Sequence, residues 1–170
     1  PPDVGLDEYR TLIDQIHTGR PTNALFIPFS ASMEDEKLRA ANAWVGQHVA
    51  PDPDNRGIFF IKPQDDPEWV RQQVQQLGLH GLKCYHTMSG VDPTWEADIQ
   101  AFLPEPLIKV ADQEGWVITL HMVKSRAVAD PANIECIKHY CQTYPNMTLI
   151  LAHSARGFQP SHNLEGLPKL

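Results

Sequence analysis

The sequence predicts an α/β fold with a parallel sheet, and three observations lead to this prediction. Apolar runs of about four to six residues recur along the chain, and segments with helical spacing separate them. The runs are continuously hydrophobic, as in parallel strands that helices cover on both faces. Two successive runs, at 117–120 and 148–152, are each followed directly by a histidine, His121 and His153. Because the carboxyl ends of parallel strands form the rim where α/β proteins build their sites, these histidines are the first candidates for function.

The first third of the chain predicts two helices and two strands. Residues 7–18 predict a helix because their apolar side chains fall on one stripe. Residues 24–29 predict an apolar strand, and residues 35–49 return to helical spacing. After a turn that is rich in proline and aspartate, residues 57–63 predict the second strand.

The rest of the chain continues this alternation. An aspartate followed by proline is typical of a helix start, and we assign this role to the pairs that begin at Asp66, Asp92 and Asp130. We therefore interpret Asp92 and Asp130 as N-caps rather than as catalytic acids. The polar segment 154–170 predicts a loop. The other predicted elements are a helix over 104–114 and strands over 81–86, 117–121 and 148–153.

The spacing of the five predicted strands suits two architectures. Their starts lie on average about 31 residues apart, which equals the repeat of a (β/α)8 barrel and also suits an open doubly wound sheet. The chain contains neither GxGxxG nor GxxxxGK[ST], which argues against dinucleotide and P-loop sites. Residues 1–170 predict one domain. Five strands cannot close a barrel, so the chain would supply parallel (β/α) units either of an incomplete barrel or of an open sheet.

Composition and cysteine content limit the kinds of partner and the cell compartment that we expect for this protein. The 170 residues carry 14 Lys and Arg against 21 Asp and Glu, a net charge of −7, without a basic cluster. We therefore expect no nucleic-acid partner. The apolar runs are too short to cross a bilayer, so we expect no membrane partner. Cys84, Cys136 and Cys141 form no CxxC pair, and we interpret them as reduced, buried thiols of a cytoplasmic protein.

Five side chains near the predicted strand ends could carry chemistry. His121 and His153 could share a metal ion, or one could bind it while the other moves protons; buried histidines with backbone partners are the alternative. Lys83 is costly inside a buried strand unless it is paired or functional. It could anchor a carboxylate, form a Schiff base or be carboxylated, or it could pair with an acid across the rim. His86 could contact substrate, and Arg156 could bind a carboxylate or lie in solvent.

Several segments then resemble the amidohydrolase superfamily, in particular the branch of metal-dependent TIM-barrel enzymes related to aminocarboxymuconate-semialdehyde decarboxylase. The resemblance covers roughly residues 24–160. It implies that the five strands are the second to sixth of a distorted (β/α)8 barrel that lacks its first strand and its last two. The segments that carry it are 81–86, 103–107, 111–115, 117–121, 144–146 and 149–153.

The resemblance also implies roles for the candidate residues. His121 matches the family's fifth-strand metal ligand. His153 matches the sixth-strand histidine, which binds a second metal in two-metal members and is catalytic or orienting in one-metal members. Lys83 aligns with a fourth-strand lysine that is carboxylated in some relatives. The first-strand His-x-His of the family does not occur in these 170 residues.

These residues predict a metal-dependent hydrolase or decarboxylase. We expect His121 and His153 to bind a divalent metal, with zinc first among the candidates, and His153 and Lys83 to be catalytic. His86 and Arg156 would bind a small-molecule substrate that carries a carboxylate, and the protein would form a homo-oligomer. We expect the 170-residue chain by itself to hold metal weakly. The alternatives are a catalytically silent α/β scaffold with structural histidines and a Schiff-base lyase that uses Lys83.

Overall fold

The computed structural model describes residues 5–30, 33–156 and 159–170, which fold as a mixed α/β chain. None of its helices is long and apolar enough to cross a membrane within these described ranges. The α-helices are Leu6–Ile16 (α1), Asp35–His48 (α2), Pro67–Gln76 (α3), Glu105–Glu114 (α4), Pro131–Thr143 (α5) and Pro160–Gly166 (α6). The strands are Leu25–Phe26 (β1), Arg56–Gly57 (β2), Phe59–Phe60 (β3), Gly81–Lys83 (β4), Val117–Leu120 (β5) and Thr148–Leu151 (β6).

The strands pair in parallel and in chain order, as the sequence predicts. β1 pairs with β2, and β3, β4, β5 and β6 form a second sheet in that order. Each of the five apolar runs contributes at least one strand. Within the described ranges the two sheets do not close into a barrel, and the observed architecture is consistent with part of a TIM-barrel fold.

The second predicted strand is in fact two short strands, and a side chain from α2 bonds to the backbone of the second one. Asn42 is 1% exposed. Its Oδ1 accepts from the Phe60 amide at 2.7 Å, and its Nδ2 donates to the Phe60 carbonyl at 3.0 Å. Ile58 lies between the two short strands, and its amide donates to the Phe26 carbonyl of β1. The run therefore pairs with β1 at its start and with β4 at its end.

The core lies between the four-stranded sheet and the helices that follow its strands. Ile118 and Leu120 of β5 are fully buried, as the continuous apolar pattern predicts. β6 differs because it is an edge strand: Thr148 and Ile150 are exposed, whereas Leu149 and Leu151 are half-buried. The buried helix residues that cover the sheet are Val70, Val74, Leu107, Ile108, Val110, Cys136, Ile137 and Tyr140.

Two of the three predicted N-caps are confirmed. Asp66 accepts from the Trp69 amide at 2.8 Å, and Asp130 accepts from the Ala132 amide at 3.0 Å. The prediction for Asp92 is wrong, since no α-helix follows it. The segment continues in short 3₁₀ turns at Thr94–Glu96 and Ile99–Ala101. These turns bury Ala97, Ile99 and Phe102 and leave Trp95 exposed.

The predicted loop over 154–170 is also partly wrong, because residues 160–166 form α6 and Leu167–Lys169 form a 3₁₀ turn. Residues 157 and 158 lie outside the described ranges. Pro160 is at the first turn of α6, where its missing amide hydrogen costs nothing. Gly166 lets α6 approach the neighbouring chain closely, since a Cβ there would lie 2.4 Å from the Val128 carbonyl oxygen. Proline and glycine therefore serve packing here rather than irregular structure.

The three cysteines carry free thiols. Cys84 and Cys136 are buried, as predicted, and burial raises the pKa of each thiol to about 11. The prediction of burial is wrong for Cys141, which is exposed. The reason is helical geometry, because Cys141 follows the buried Tyr140 by one position and faces away from the core on α5.

Candidate active site at the carboxyl ends of the strands

The candidate residues meet at the carboxyl ends of three neighbouring strands. Lys83 is the last residue of β4, and His86 follows three positions later. His121 comes directly after β5, and His153 follows β6 after one intervening residue. Because β4, β5 and β6 are parallel neighbours, their ends deliver these side chains to one rim.

Ring distances show that the histidines form one group. The ring centroids of His121 and His153 lie 5.1 Å apart, and those of His86 and His121 lie 5.3 Å apart. The Tyr85 ring packs edge-on against His121 at 4.6 Å. We call His86, His121 and His153 the histidine cluster. Their proximity is observed, whereas the roles of the individual residues stay predictions.

His121 lies at the centre of this cluster and is kept neutral. Burial is the largest effect that lowers the pKa of His121 to about 3, and the nearby Lys83 adds to it. The His121 Nδ1 is buried and has no hydrogen-bond partner among the described residues. A buried polar atom without a partner costs about 1–3 kcal/mol, so this nitrogen is well suited to a ligand. Neutral imidazole is also the form that binds metals.

Lys83 is buried, and it has no carboxylate partner among the described residues. Its side chain and backbone are 7% exposed, and Nζ donates to the Thr119 carbonyl at 3.4 Å and lies 5.6 Å from the Tyr85 ring centre. Burial lowers the pKa of Lys83. Within the described residues it forms no ion pair, so pairing with an acid across the rim is not observed.

His86 is oriented by the loop that follows β4. Its Nδ1 lies 2.8 Å from the Thr94 hydroxyl. Burial lowers the pKa of His86, and the charges of Arg156 and Lys83 lower it further. The same two cations act on His121, so both residues contribute positive potential to the cluster. An anionic group of a substrate would therefore be attracted to this rim.

Four consecutive residues after β6 adopt left-handed backbone angles, and they include two of the candidates. The φ values are 56° at His153, 51° at Ser154, 56° at Ala155 and 65° at Arg156. For residues other than glycine this conformation costs about 1–2 kcal/mol each. We call residues 153–156 the left-handed turn. Backbone strain of this kind is concentrated at functional sites in proteins.

Specific contacts hold the left-handed turn in place. Asn163 of α6 donates to the Ser154 carbonyl at 2.6 Å, and Arg156 Nη1 donates to the Lys124 carbonyl at 2.8 Å. Ala155 is buried against the core. Part of the Arg156 guanidinium is therefore bonded to the loop after β5. That Arg156 also binds substrate stays a prediction.

Sequence reasoning missed three residues that shape the rim. Tyr85 lies two positions after Lys83 in extended backbone, and alternate positions of a strand share a face, so its position could have been inferred. Thr94 and Lys124 carry no such signal, because they reach the rim from irregular loops.

The residues present fit part of a divalent-metal site. The histidine cluster supplies imidazole nitrogens, which zinc prefers together with thiolates and carboxylates. Across the described ranges, however, no group of three or more His, Cys, Asp or Glu side chains has the arrangement that holds a metal ion. The unpartnered His121 Nδ1 is the observation that favours a metal, and the cluster alone would leave most coordination positions to other ligands.

Comparisons with known proteins agree with this fold. Parallel strands in chain order are consistent with part of a TIM-barrel fold, and the sequence model of a family described as Amidohydrolase matches residues 7–170. The chain therefore belongs to the amidohydrolase family. It is also similar to dihydroorotase of Saccharomyces cerevisiae (strain ATCC 204508 / S288c), with 27% identity over 124 residues. This match covers 63% of the chain and 33% of the dihydroorotase, so it spans about a third of the relative's length.

Proposed function

We propose that this chain is part of a metal-dependent hydrolase that cleaves a C–N, C–O or lactone bond in a small molecule carrying a carboxylate. Membership of the amidohydrolase family supports a hydrolase of that superfamily. The observation that supports a metal is the half-buried, neutral His121. Its buried Nδ1 has no partner in the described part of the chain, and its ring lies 5.1 Å from that of His153.

The candidate residues then have distinct roles. His121 would hold the divalent metal, zinc first among the candidates, and His153 would share the ion or accept and donate a proton at the reacting group. When bound, such an ion lowers the pKa of water and polarises a carbonyl. Lys83 would be catalytic through its positive charge, since burial strengthens its interaction with an anion. Arg156 and His86 would orient the substrate carboxylate.

The kind of bond is the finer part of the proposal. The yeast relative is named a dihydroorotase, which favours hydrolysis of a cyclic amide. The resemblance to the branch of aminocarboxymuconate-semialdehyde decarboxylase favours loss of a carboxyl group instead. Both reactions would use the same carboxylate-binding cations. A cytoplasmic location and a homo-oligomer remain part of this proposal.

The deciding experiment removes one imidazole at a time from the protein that contains this chain. We expect His121→Ala to lose bound zinc and hydrolysis of dihydroorotate or of a panel of cyclic amides and lactones. We expect His153→Ala to lose activity, and to keep metal if one ion is bound. His17→Ala is the matched control, because His17 is exposed at the end of α1. Full metal content and activity in His121→Ala would refute the proposal and favour the silent scaffold.

Zinc titration of the 170-residue chain tests how many metal ligands this chain supplies. A catalytic zinc normally has three protein ligands, and complete structural sites bind with roughly 10–16 kcal/mol. Since the described residues show no complete set of donors, we expect weak binding by this chain. Tight, stoichiometric binding in calorimetry would mean that His86 completes the site with His121 and His153.

A Schiff-base lyase is the second candidate, and the lowered pKa of buried Lys83 favours it. An uncharged amine can attack a substrate carbonyl. Borohydride reduction in the presence of substrate would trap a covalent adduct on Lys83 if this mechanism operates. We expect no adduct under the hydrolase proposal, and Lys83→Met provides the control.

A further inference from the structure

One residue outside the histidine cluster connects all three loops that form the rim. Lys124 lies three positions after His121, in the loop that follows β5, and has a left-handed φ of 64°. Its amide donates to the Trp95 carbonyl in the loop after β4, at 2.6 Å. Its carbonyl accepts from Arg156 in the left-handed turn after β6, at 2.8 Å. The backbone of Lys124 thus bridges the two loops on either side of its own.

The side chain of Lys124 strengthens the contact with the loop after β4. Its Nζ forms an ion pair with Asp98 at 2.9 Å and donates to the Glu96 carbonyl at 3.3 Å. The hydrogen bond to Asp98 raises the pKa of Lys124, with the charge of that carboxylate adding to it. We call the contacts of Lys124 with Trp95, Glu96 and Asp98 the Lys124 clasp.

The clasp acts on the segment that orients His86. Thr94 bonds to His86 Nδ1, and the next residue, Trp95, is the one whose carbonyl Lys124 holds. A short path therefore runs from His86 through Thr94, Trp95 and Lys124 to Arg156. The ends of this path, His86 and Arg156, are the two residues that the proposed function assigns to the substrate. They lie in the loops after β4 and β6, the strands on either side of β5.

We propose that Lys124 is a positioning residue that sets the separation of His86 and Arg156, and with it the fit of the substrate carboxylate. This inference rests on the proposed function. We expect the ion pair with Asp98 to contribute little to global stability, because the Asp98 side chain is 66% exposed and solvent screens the pair, although that of Lys124 is only 18% exposed. A local effect on the rim is therefore separable from an effect on the fold.

The test compares Lys124→Met, Lys124→Arg and Asp98→Asn with Lys109→Met, a control at an exposed position of α4. Each variant is studied as the whole protein. We expect amide hydrogen exchange in residues 86–98 to rise about fivefold to tenfold in Lys124→Met and Asp98→Asn, as the loop opens more often. Lys124→Arg should restore slow exchange, and Lys109→Met should match the wild type. Lys124→Met keeps the backbone bond to Trp95 and loses only the Nζ contacts, so unchanged exchange in this variant would overturn the positioning role of the Lys124 side chain.

Two further measurements connect the clasp to the site. Carbethoxylation of His86 by diethyl pyrocarbonate, followed by peptide mass spectrometry, should accelerate in Lys124→Met by a similar factor and does not require enzyme activity. With an active substrate, KM should rise while kcat changes little. An unchanged rate of His86 modification, or a fall in kcat at constant KM, would contradict the positioning role. If the protein hydrolyses none of the substrates, the proposed function fails, and exchange and modification still decide whether Lys124 positions His86.

Discussion

Asn133 offers a sharp test of how the loop after His121 is held. It lies in the first turn of α5 and is 1% exposed. Its Nδ2 donates to the carbonyls of Val123 and Ala127, each at 2.8 Å. The change Asn133→Ala removes both donors from buried acceptors. The Ala127 carbonyl keeps a bond from the Asp130 amide, whereas no second bond to the Val123 carbonyl occurs among the described contacts.

The expected magnitude follows from this difference. An unsatisfied buried acceptor costs about 1–3 kcal/mol, and the acceptor that keeps one bond costs less, so the free energy of unfolding should fall by about 2–4 kcal/mol. For a chain of this size that corresponds to a fall in Tm of about 2–4 °C per kcal/mol. Urea unfolding followed by far-ultraviolet circular dichroism measures the loss directly.

Two further variants of asparagine make the result specific. Asn133→Asp should destabilise more than Asn133→Ala, because it directs a carboxylate at two carbonyl oxygens. Asn146→Ala makes the same chemical change at an exposed position, where Nδ2 is 3.4 Å from Asp112, and should stay within about 0.5 kcal/mol of the wild type. A loss below about 1 kcal/mol in Asn133→Ala would refute the argument that this amide holds the loop.

Two other predictions concern the sheet and the acid limit of stability. Gly81→Ala should unfold the protein or shift β4 from β5, because the new Cβ would lie 2.2 Å from the Val117 carbonyl oxygen; a Tm equal to that of the wild type would contradict this. Hydrogen bonds from the Asp54 amide, and less strongly from Arg10, lower the pKa of Asp52 below its ordinary value. The stabilising effect of Asp52 should therefore be complete above pH of about 4 and be lost as the pH falls through the lowered pKa. Urea unfolding should be measured at pH 6 and at pH 3, values that bracket the ordinary carboxyl pKa of about 4. The free energy of unfolding should fall less between these values in Asp52→Asn than in the wild type. An equal fall in both proteins would contradict the stabilising effect of ionised Asp52.

Much of the fold could be predicted because its signals are local. The run before His121 is apolar at every position, and β5 occupies residues 117–120 as expected. The cap at Asp130 needs only its own helix and is correctly predicted. The hydrogen bonds between Asn42 and the Phe60 backbone could not be predicted, since the asparagine approaches from another element. Local patterns contain no information about such a partner.

The candidate site likewise has a part that the sequence predicts and a part that depends on distant contacts. The strand ends predicted which elements carry His121, His153 and Lys83, because parallel strands bring their carboxyl ends together. The distance between the rings depends on the left-handed turn, and no glycine in residues 153–156 signals this conformation. The role of Lys124 could not be predicted from local sequence, since its partners lie about 30 residues before and after it.

The most strained part of the rim is also the part on which the proposed chemistry depends. The left-handed turn and the unpartnered nitrogen of His121 both disfavour the fold, and neither is needed to pair β6 with β5. A relaxed turn would release Arg156 from the Lys124 carbonyl, and a hydrogen-bonded His121 would no longer offer Nδ1 to a ligand. A bound ion would satisfy that nitrogen and so stabilise the folded state, because a ligand that binds only the native form shifts the unfolding equilibrium. Zinc should therefore raise the Tm of the whole protein, and it should do so less in His121→Ala than in His17→Ala. Equal shifts in the two variants would place the metal elsewhere and leave His121 a structural residue.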